Sequence, residues 1–306
     1  MRTIKDYLIL MLKGMAMGAA DVVPGVSGGT IAFITNIYEE LIDSINRLNG
    51  KAITILFKEG VKPFWQHING NFFLFLLAGI GISIVSLAKL ITHLLATYPV
   101  LVWSFFFGLV FASIFFVGKQ VSKWNISTAL SFVAGAVIAY VVTDLPPMHS
   151  PESSWFIFLS GAIAICAMIL PGISGSFILL LLGSYETVLN AIKNIEIKTI
   201  LLFAAGCVVG LLSFSRLLKW MFAHFHNLSV ALLSGFLLGS LNKIWPWKET
   251  ISTRVNSHGE VVPFIQKNIS PFATENPQLA AAIALAVTGA LLLFLLEKAG
   301  NLKKNN

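Results

Sequence analysis

The stretch Pro24-Gly25-Val26-Ser27-Gly28-Gly29 interrupts an apolar part of this 306-residue chain, and a near copy, Pro171-Gly172-Ile173-Ser174-Gly175-Ser176, follows 147 positions later. Proline removes a backbone hydrogen-bond donor and glycine tolerates left-handed geometry, so a helix has to break at each copy. Inside a membrane, non-helical backbone is tolerated only where it is buried in protein or lines a wet cavity. Each copy therefore marks a broken helix where a ligand could bind.

The composition is that of a polytopic membrane protein. Hydrophobic residues make up 56% of the chain and charged residues 11%, with a mean hydropathy of +0.82, whereas soluble domains carry about 25% charged residues. A soluble fold of this size could not bury so much apolar surface. The net charge of +7 is spread over short loops without a nucleic-acid motif. We therefore expect no nucleic-acid partner and attribute the charge to the positive-inside bias of membrane proteins.

The two copies belong to a longer internal repeat. Glu39 lies over Glu186 at the same shift of 147 positions, and Lys89 lies over Arg216 at a shift of 127. The difference of 20 positions falls in the polar stretch 49–70, which only the first half contains. Chance pairing of apolar residues does not easily reproduce such matches, so the sequence indicates a duplication.

The predicted fold is an all-α polytopic membrane protein with two inverted-topology repeats, 1–145 and 146–306, in one integrated transmembrane domain. Each repeat is expected to hold a broken re-entrant helix hairpin plus three transmembrane helices. The hairpin arms, at roughly 16 residues, are shorter than a full span of about 20. Because either assignment gives an odd number of crossings per repeat, the second repeat is upside down relative to the first. The predicted arms are 6–22, 30–46, 154–170 and 177–192, and the predicted spans are 72–95, 100–117, 126–143, 200–222, 228–245 and 278–296.

The loop charges orient the chain. With the N-terminus inside, most lysines and arginines fall in cytoplasmic segments, so both termini are predicted to be cytoplasmic. The stretch 49–70 contains an amphipathic segment that we expect on the inner leaflet. The long loop 246–277 and the acidic connector between the repeats are expected outside.

Two broken helices at matched positions predict an anion site. Ser27 and Ser174 are suited to cap the arms that follow, and free N–H groups at a helix start bind phosphate or carboxylate. Inverted repeats would bring both starts together near the middle of the bilayer. The alternative is a hinge of small residues that only permits close helix packing. The candidate phosphate-binding residues are Ser27, Gly28, Gly29, Thr30, Ser174, Gly175, Ser176, Arg216 and Lys89.

Charged residues in or near the apolar segments are the further candidates. Lys89 and Arg216 are expected to face a cavity or a partner, because ionisable groups inside spans are costly; snorkelling to the interface is the alternative. An arginine can bind an oxyanion through two hydrogen bonds, which favours Arg216. Asp21 either carries a coupling proton or cation, or pairs with one of these cations. Glu39 and Glu186 are coupling groups, pair partners or surface charges.

The sequence contains no Ser/His/Asp triad, Walker loop, dinucleotide-binding glycines or metal-ligand spacing. We therefore expect no enzyme, no cofactor and no metal site. From the residues alone, three functions stay open. They are an ion-coupled carrier of a small soluble anion, an intramembrane phosphatase, and a membrane scaffold that transports nothing.

The stretch Gly18-Ala19-Ala20-Asp21-Val22-Val23 followed by the first motif and Thr30, with its second copy at 170–176, resembles the bacterial polyprenyl-phosphate transporters, formerly a domain of unknown function. The resemblance extends from Lys5 to about Leu296. It implies a transporter that flips undecaprenyl phosphate from the outer to the inner leaflet of the bacterial cytoplasmic (inner) membrane, so that this carrier lipid of cell-wall biogenesis is reused.

The expected lipid partner, undecaprenyl phosphate, is what the resemblance implies. A coupling proton or sodium ion is expected from the residues, because without a Walker loop the energy for transport has to come from an ion gradient or from the gradient of the substrate. The oligomeric state is not predicted. Because Met168 and Ser176 depart from a strict duplicate, the two halves need not bind the ligand equally.

Overall fold

The computed structural model describes residues 2–23, 25–148, 153–255 and 261–301, so Pro24 of the first motif and residues 149–152 of the connector lie outside it. Within these ranges the chain is mostly helical. Four of the described helices are long and apolar enough to cross a membrane, and a pair of short helices bent by 108° has the form of a broken span or a re-entrant loop. The prediction of an all-α polytopic membrane protein is confirmed for the membrane-embedded part.

The first half consists of a broken hairpin, two short helices and three long helices. Its helices are α1 (Ile4–Val22), α2 (Gly28–Ile34), α3 (Tyr38–Asn46), α4 (Gly50–Glu59), α5 (Val61–His67), α6 (Gly70–Thr97), α7 (Pro99–Gly118) and α8 (Ile126–Asp144).

The second half repeats this order without the two short helices that follow the hairpin. Its elements are α9 (Ser154–Ile169), α10 (Gly175–Leu181), α11 (Tyr185–Lys193), α12 (Ile197–Ser240), β1 (Lys248–Val255), β2 (Val261–Asn268) and α13 (Leu279–Asn301), with a 3₁₀ turn at Pro271–Ala273 before α13.

Each returning arm of a hairpin consists of two short helices. Asn36 lies between α2 and α3 with φ of 56°, and Gly183 lies between α10 and α11 with φ of 68°. A residue in the left-handed region ends a helix, so the chain bends at both places. The predicted arms 30–46 and 177–192 hold in their outer limits, and each consists of two helices with a bend that the sequence analysis does not place.

The amphipathic stretch 49–70 forms α4 and α5, which meet at Gly60 with φ of 93°. Ile53, Phe57 and Val61 leave 59%, 83% and 70% of their surface exposed. Large exposed apolar side chains beside lysines are what an interfacial helix presents to lipid. The placement of this stretch on the inner leaflet stays a prediction.

Two aromatic residues break the long helices at matched positions. Tyr98 (φ −131°, ψ 54°) separates α6 from α7, and Phe225 (φ −135°, ψ 46°), 127 positions later, interrupts α12. The predicted spans 200–222 and 228–245 are the two parts of α12 on either side of this kink. The second part ends at Ser240, earlier than expected, because the chain turns there.

Glycines allow the same helix pair to pack closely in both halves. A Cβ on Gly79 of α6 would collide with the backbone of Met11 in α1, and a Cβ on Gly206 of α12 would collide with the backbone of Phe158 in α9. The pairs α1–α6 and α9–α12 are thus built alike.

The last long helix of each half packs on the other half. Gly108 of α7 lies against Ala286 of α13, and Gly235 of α12 lies against Phe132 of α8. The two halves therefore interlock. Their opposite orientation in the membrane stays a prediction, as do the repeat boundaries.

The loop expected at 246–277 contains an antiparallel β-hairpin, which the sequence analysis does not predict. Lys248 pairs with Asn268 at its base. The Trp245 Nε1–H donates to the Ile269 carbonyl oxygen at 3.0 Å, and the Trp247 Nε1–H donates to the Pro277 carbonyl oxygen at 2.9 Å. These two indole bonds anchor the base of the hairpin to the chain that leads into α13.

Candidate functional site

The first motif forms a turn followed by α2. Gly25 has φ of 83°, which glycine adopts without strain. Ser27 caps α2 by accepting a hydrogen bond from the Gly29 N–H at 3.1 Å. Asp21, near the end of α1, accepts a hydrogen bond from the Gly28 N–H at 2.6 Å through Oδ1. The anion site expected on Gly28 and Gly29 is therefore not open, because side chains of this chain already occupy both N–H groups.

The two motifs are in direct contact. Ser27 Oγ donates to the carbonyl oxygen of Met168 at 3.1 Å, and the Gly172 N–H donates to Thr30 Oγ1 at 2.9 Å. A Cβ on Gly29 would lie 2.5 Å from a carbonyl oxygen at the end of α9. Residues of the first motif therefore fasten one broken hairpin to the other, and the close approach requires glycine.

We call the contacting segments, residues 21–23, 25–30 and 167–176, the hairpin junction. Ser174 Oγ lies 2.9 Å from Ser176 Oγ and forms no capping bond to α10. Gly175 is buried, and a Cβ there would lie 2.8 Å from a carbonyl oxygen of α9. Ser176 is exposed, whereas the matching residue of the first motif is a buried glycine. The second motif thus places a hydroxyl group on the accessible side of the hairpin junction.

The carboxylate of Asp21 binds backbone rather than a cation. Its hydrogen-bond partner among the described residues is the Gly28 N–H, and neither Lys89 nor Arg216 forms an ion pair with it. The charge pair that the sequence left open is therefore absent from the described part of the chain. The role of Asp21 as a proton or cation carrier stays a prediction.

Lys89 and Arg216 lie on exposed faces of α6 and α12. Over the described ranges, neither side chain forms an ion pair, and no hydrogen bond joins either to the hairpin junction. The contact of α12 with α3 is made by neighbours of Arg216: the Ser215 carbonyl oxygen accepts a bond from Asn46 at 2.9 Å. The structure thus leaves both predicted cations on surfaces that lipid can reach.

Glu39 lines a charged cavity of about 440 Å³ between α3 and α12. Its ion-pair partner among the described residues is His226, with Oε1 and Nδ1 3.9 Å apart. Asp43 and Lys219 lie 2.5 Å apart across the same cavity, a pair that the sequence analysis does not predict. Glu186 lies at the matched position on α11 and does not line this cavity.

Two lysines beside the hairpin junction are further candidate residues that sequence reasoning missed. Lys243 Nζ lies 4.3 Å from the ring centroid of Phe177 in α10. Lys248 Nζ donates to the Lys243 carbonyl oxygen at 2.7 Å and lies 3.6 Å from the ring centroid of Trp103. Burial of its ammonium group, and then the charge of Lys243, lower the pKa of Lys248 to about 7. In the sequence, Lys243 and Lys248 are assigned only as basic residues of an outer segment. The neighbouring Trp245 and Trp247 were the signal that could have indicated that these lysines belong to a packed region.

A small apolar cavity of about 150 Å³ lies beside the second motif. Its walls are Leu170, which precedes the motif, and apolar side chains of α12 on both sides of the Phe225 kink. A dry apolar cavity of about this size can hold a benzene molecule. It can therefore accept a short branched hydrocarbon segment, and it offers nothing to a soluble anion.

The described residues contain no group of three or more His, Cys, Asp or Glu side chains that could hold a metal ion. The polar groups near the hairpin junction are hydroxyls, one carboxylate and two ammonium groups. This set suits the binding of an anion and the transfer of a proton.

Comparison with known proteins places the chain in a family. A family model described as undecaprenyl phosphate translocase-like matches residues 17–262. A polyprenyl-phosphate transporter of Vibrio cholerae serotype O1 is 50% identical over 298 residues, which cover 96% of this chain and 97% of the relative. A polyprenyl-phosphate transporter of Staphylococcus aureus is 32% identical over 257 residues, covering 78% of this chain and 86% of the relative.

No solved structure matches the chain. The family model covers both motifs, α1 from Met17 onward and the whole of α12. Both relatives are named as transporters, and together with the family model they decide the assignment. The chain belongs to the undecaprenyl phosphate translocase-like family of membrane proteins.

Proposed function

We propose that this chain flips undecaprenyl phosphate from the outer to the inner leaflet of the bacterial cytoplasmic membrane, which returns the carrier lipid for cell-wall biogenesis. The family and the names of both relatives support polyprenyl phosphate as the substrate. Because both relatives are named as transporters, we do not retain the intramembrane phosphatase as an alternative. The proposal places both termini in the cytoplasm, following the positive-inside bias.

The contact between the two motifs is the observation that carries the proposal. Ser27 and Thr30 are buried and bind the second hairpin, so their proposed role is to hold the hairpin junction together. Ser176 is exposed, so its hydroxyl group can donate to a phosphate, and the hydroxyl group of the buried Ser174 lies 2.9 Å from it. Charged phosphate oxygens form short, strong hydrogen bonds with such donors. Gly28, Gly29 and Gly175 contribute by allowing the close packing of this region.

The apolar cavity beside Leu170 supports a lipid substrate over a soluble anion. It lies next to the second motif, and its lining is apolar apart from Ser229, whose hydroxyl group donates to the Phe225 carbonyl oxygen. In the proposal, the first isoprene units of the tail enter this cavity when the phosphate is bound at the second motif. Apolar burial of each CH₂ group contributes about 0.8 kcal/mol.

Lys89 and Arg216 are proposed to attract the phosphate before it reaches the hairpin junction. Both are exposed cations on long apolar helices, at equivalent positions of the two halves. An intramembrane cation that has no carboxylate partner lowers the cost of bringing a phosphate below the headgroup level.

Asp21 is the proposed coupling group, with a proton or a sodium ion as the coupling ion. Its carboxylate is bound to the Gly28 N–H at the hairpin junction. Protonation would remove a negative charge from the region where the phosphate binds and weaken its bond to Gly28. Glu39 and Glu186, at matched positions, are proposed to pass the ion to either side while one half rocks against the other.

A leaflet-accessibility assay in proteoliposomes tests the proposal. Radiolabelled undecaprenyl phosphate is placed in both leaflets, and an external phosphatase reports the fraction that reaches the outside, with and without a pH or sodium gradient. We expect complete hydrolysis with the protein and about half without it. Equal hydrolysis in both samples under every gradient contradicts lipid transport. Uptake of radiolabelled inorganic phosphate by the same vesicles would instead support a carrier of a soluble anion.

A further inference from the structure

The end of α12 and the turn after it lie against both motifs. A Cβ on Gly25 would lie 2.9 Å from Lys243 Cγ, and a Cβ on Gly172 would lie 2.8 Å from Ser240 Oγ. Both glycines have positive φ, 83° and 84°. Residues 240–244 therefore contact the turn of each broken hairpin, although neither motif is near them in sequence.

Lys243 extends from this turn toward the second motif. Its ammonium group lies 4.3 Å from the ring centroid of Phe177, the residue after Ser176. Among the described residues no carboxylate lies within ion-pair distance of Lys243, and Asp144 at the end of α8 acts on it only from farther away. Lys243 is thus a half-buried cation, without an acidic partner at ion-pair distance in the described chain, beside the turn of the first motif and the Phe177 ring.

A second lysine, Lys248, lies behind Lys243. Its ammonium group donates to the Lys243 carbonyl oxygen at 2.7 Å and lies 3.6 Å from the ring centroid of Trp103, which is buried. Two neighbouring ammonium groups repel each other, and partial burial without a counter-ion is costly. An anion that binds beside Lys243 would lessen the repulsion and offset the cost of burying the Lys243 ammonium group.

We infer that Lys243 is the cation that binds the phosphate of the substrate at the hairpin junction, beside the hydroxyl groups of Ser174 and Ser176, and that Lys248 and Trp103 hold Lys243 in place. The ligand class is a phosphate monoester. The inference rests on the proposed function, because it takes that monoester to be the headgroup of a lipid. A lysine suits this task, since its ammonium group offers three donors and binds phosphate as a point charge.

Binding in detergent tests the inference, with the full chain and its Lys243→Met variant. Lys267→Met is the matched control, because Lys267 is an exposed lysine of β2 in the loop that follows Lys243, and its loss changes the net charge equally. The probes are undecaprenyl phosphate, undecaprenol and inorganic phosphate, and the readout is the ligand-dependent rise in melting temperature. Lys243→Arg restores the charge, and Lys243→Gln is a second neutral variant in case Lys243→Met does not fold.

We expect Lys243→Met to bind undecaprenyl phosphate about ten- to hundredfold more weakly, the loss of one charge-assisted hydrogen bond. Lys243→Arg should recover most of this loss, Lys267→Met should match the wild type, and undecaprenol should not distinguish the variants. Unchanged affinity in folded Lys243→Met or Lys243→Gln overturns the inference and leaves the proposed function standing. A wild type that binds inorganic phosphate as tightly as the lipid, or binds no polyprenyl phosphate, overturns the proposed function itself.

Discussion

The Asp21 carboxylate and the Gly28 N–H, 2.6 Å from its Oδ1, form a bond that ties the end of α1 to the start of α2 across the break between them. The sequence shows an acid three residues before a proline but gives no sign of its partner. A helix start attracts negative charge, and this chain supplies that charge itself. At the scale of residues, the first motif is therefore a closed structural element, and the second is the one that exposes a hydroxyl group, that of Ser176.

Substitution of Asp21 separates its two roles. Asp21→Ala should lower the free energy of unfolding by about 1–3 kcal/mol, because the buried Gly28 N–H loses its acceptor. Asp21→Asn keeps an acceptor and should cost less, but it cannot carry a proton. Thermal unfolding in detergent measures the first effect, and the dependence of lipid flipping on a pH gradient measures the second. Equal stability of the two variants, or gradient-dependent flipping by Asp21→Asn, would contradict these roles.

Gly29→Ala tests the contact between the hairpins. The added Cβ would lie 2.5 Å from a backbone carbonyl oxygen of the second hairpin, and backbone cannot move aside cheaply, so we expect a loss of about 1–3 kcal/mol. Gly81→Ala is the control, because a Cβ at this glycine of α6 meets nothing within 4 Å. It should be neutral or stabilising by up to about 1 kcal/mol. Melting temperatures in one detergent decide the comparison, and a Gly29→Ala protein as stable as Gly81→Ala would show that the hairpins are not fastened here.

At the scale of elements, the apolar pattern predicts the long helices closely and the breaks inside them poorly. The predicted spans 72–95 and 100–117 match α6 and α7 within two residues at each end, because runs of apolar residues have one stable form in a bilayer. The bend at Asn36 depends on a single left-handed residue, which composition does not reveal. The break at Phe225 carries no glycine or proline, yet it falls in the gap between the predicted spans 200–222 and 228–245.

Apart from its base, the β-hairpin is not expected to contribute to the stability of the fold. Among the described elements, β1 packs chiefly against β2, and the Trp245 and Trp247 indole bonds lie below it. Replacing residues 250–266 with a short Gly-Ser linker should therefore leave the melting temperature and lipid flipping close to the wild type. A loss of lipid binding in this deletion would show that the strands contribute to the substrate site.

At the scale of the whole molecule, the interlocked halves explain why the lysines at the site could not be predicted. Lys243 follows a span of the second half, yet it lies against Gly25 of the first. Such a contact depends on how the two halves pack against each other. Aligning the two repeats in the sequence does not reveal this packing. The alignment does identify the two motifs that meet, because each motif breaks a helix by its own local chemistry.

If the two repeats have inverted topology, the segments that follow the two broken hairpins lie on opposite sides of the membrane. In a variant without Cys166 and Cys207, Lys51→Cys near the start of α4 should react with a membrane-impermeant maleimide only after permeabilisation. Lys198→Cys near the start of α12 should react in intact cells. Both lysines are exposed, so accessibility within the fold does not limit either reaction. Labelling of both positions from the same side would contradict the inverted repeats.

The most direct test of the account is the position of the phosphate in an experimental structure of the protein with bound undecaprenyl phosphate. We predict phosphate density on the open side of the hairpin junction, with its oxygens within hydrogen-bond distance of the Ser174 or Ser176 hydroxyl groups and the Lys243 ammonium group. The first part of the tail should run toward the apolar cavity beside Leu170. Phosphate density at Arg216 or in the charged cavity between α3 and α12, with the hairpin junction empty, would contradict the account.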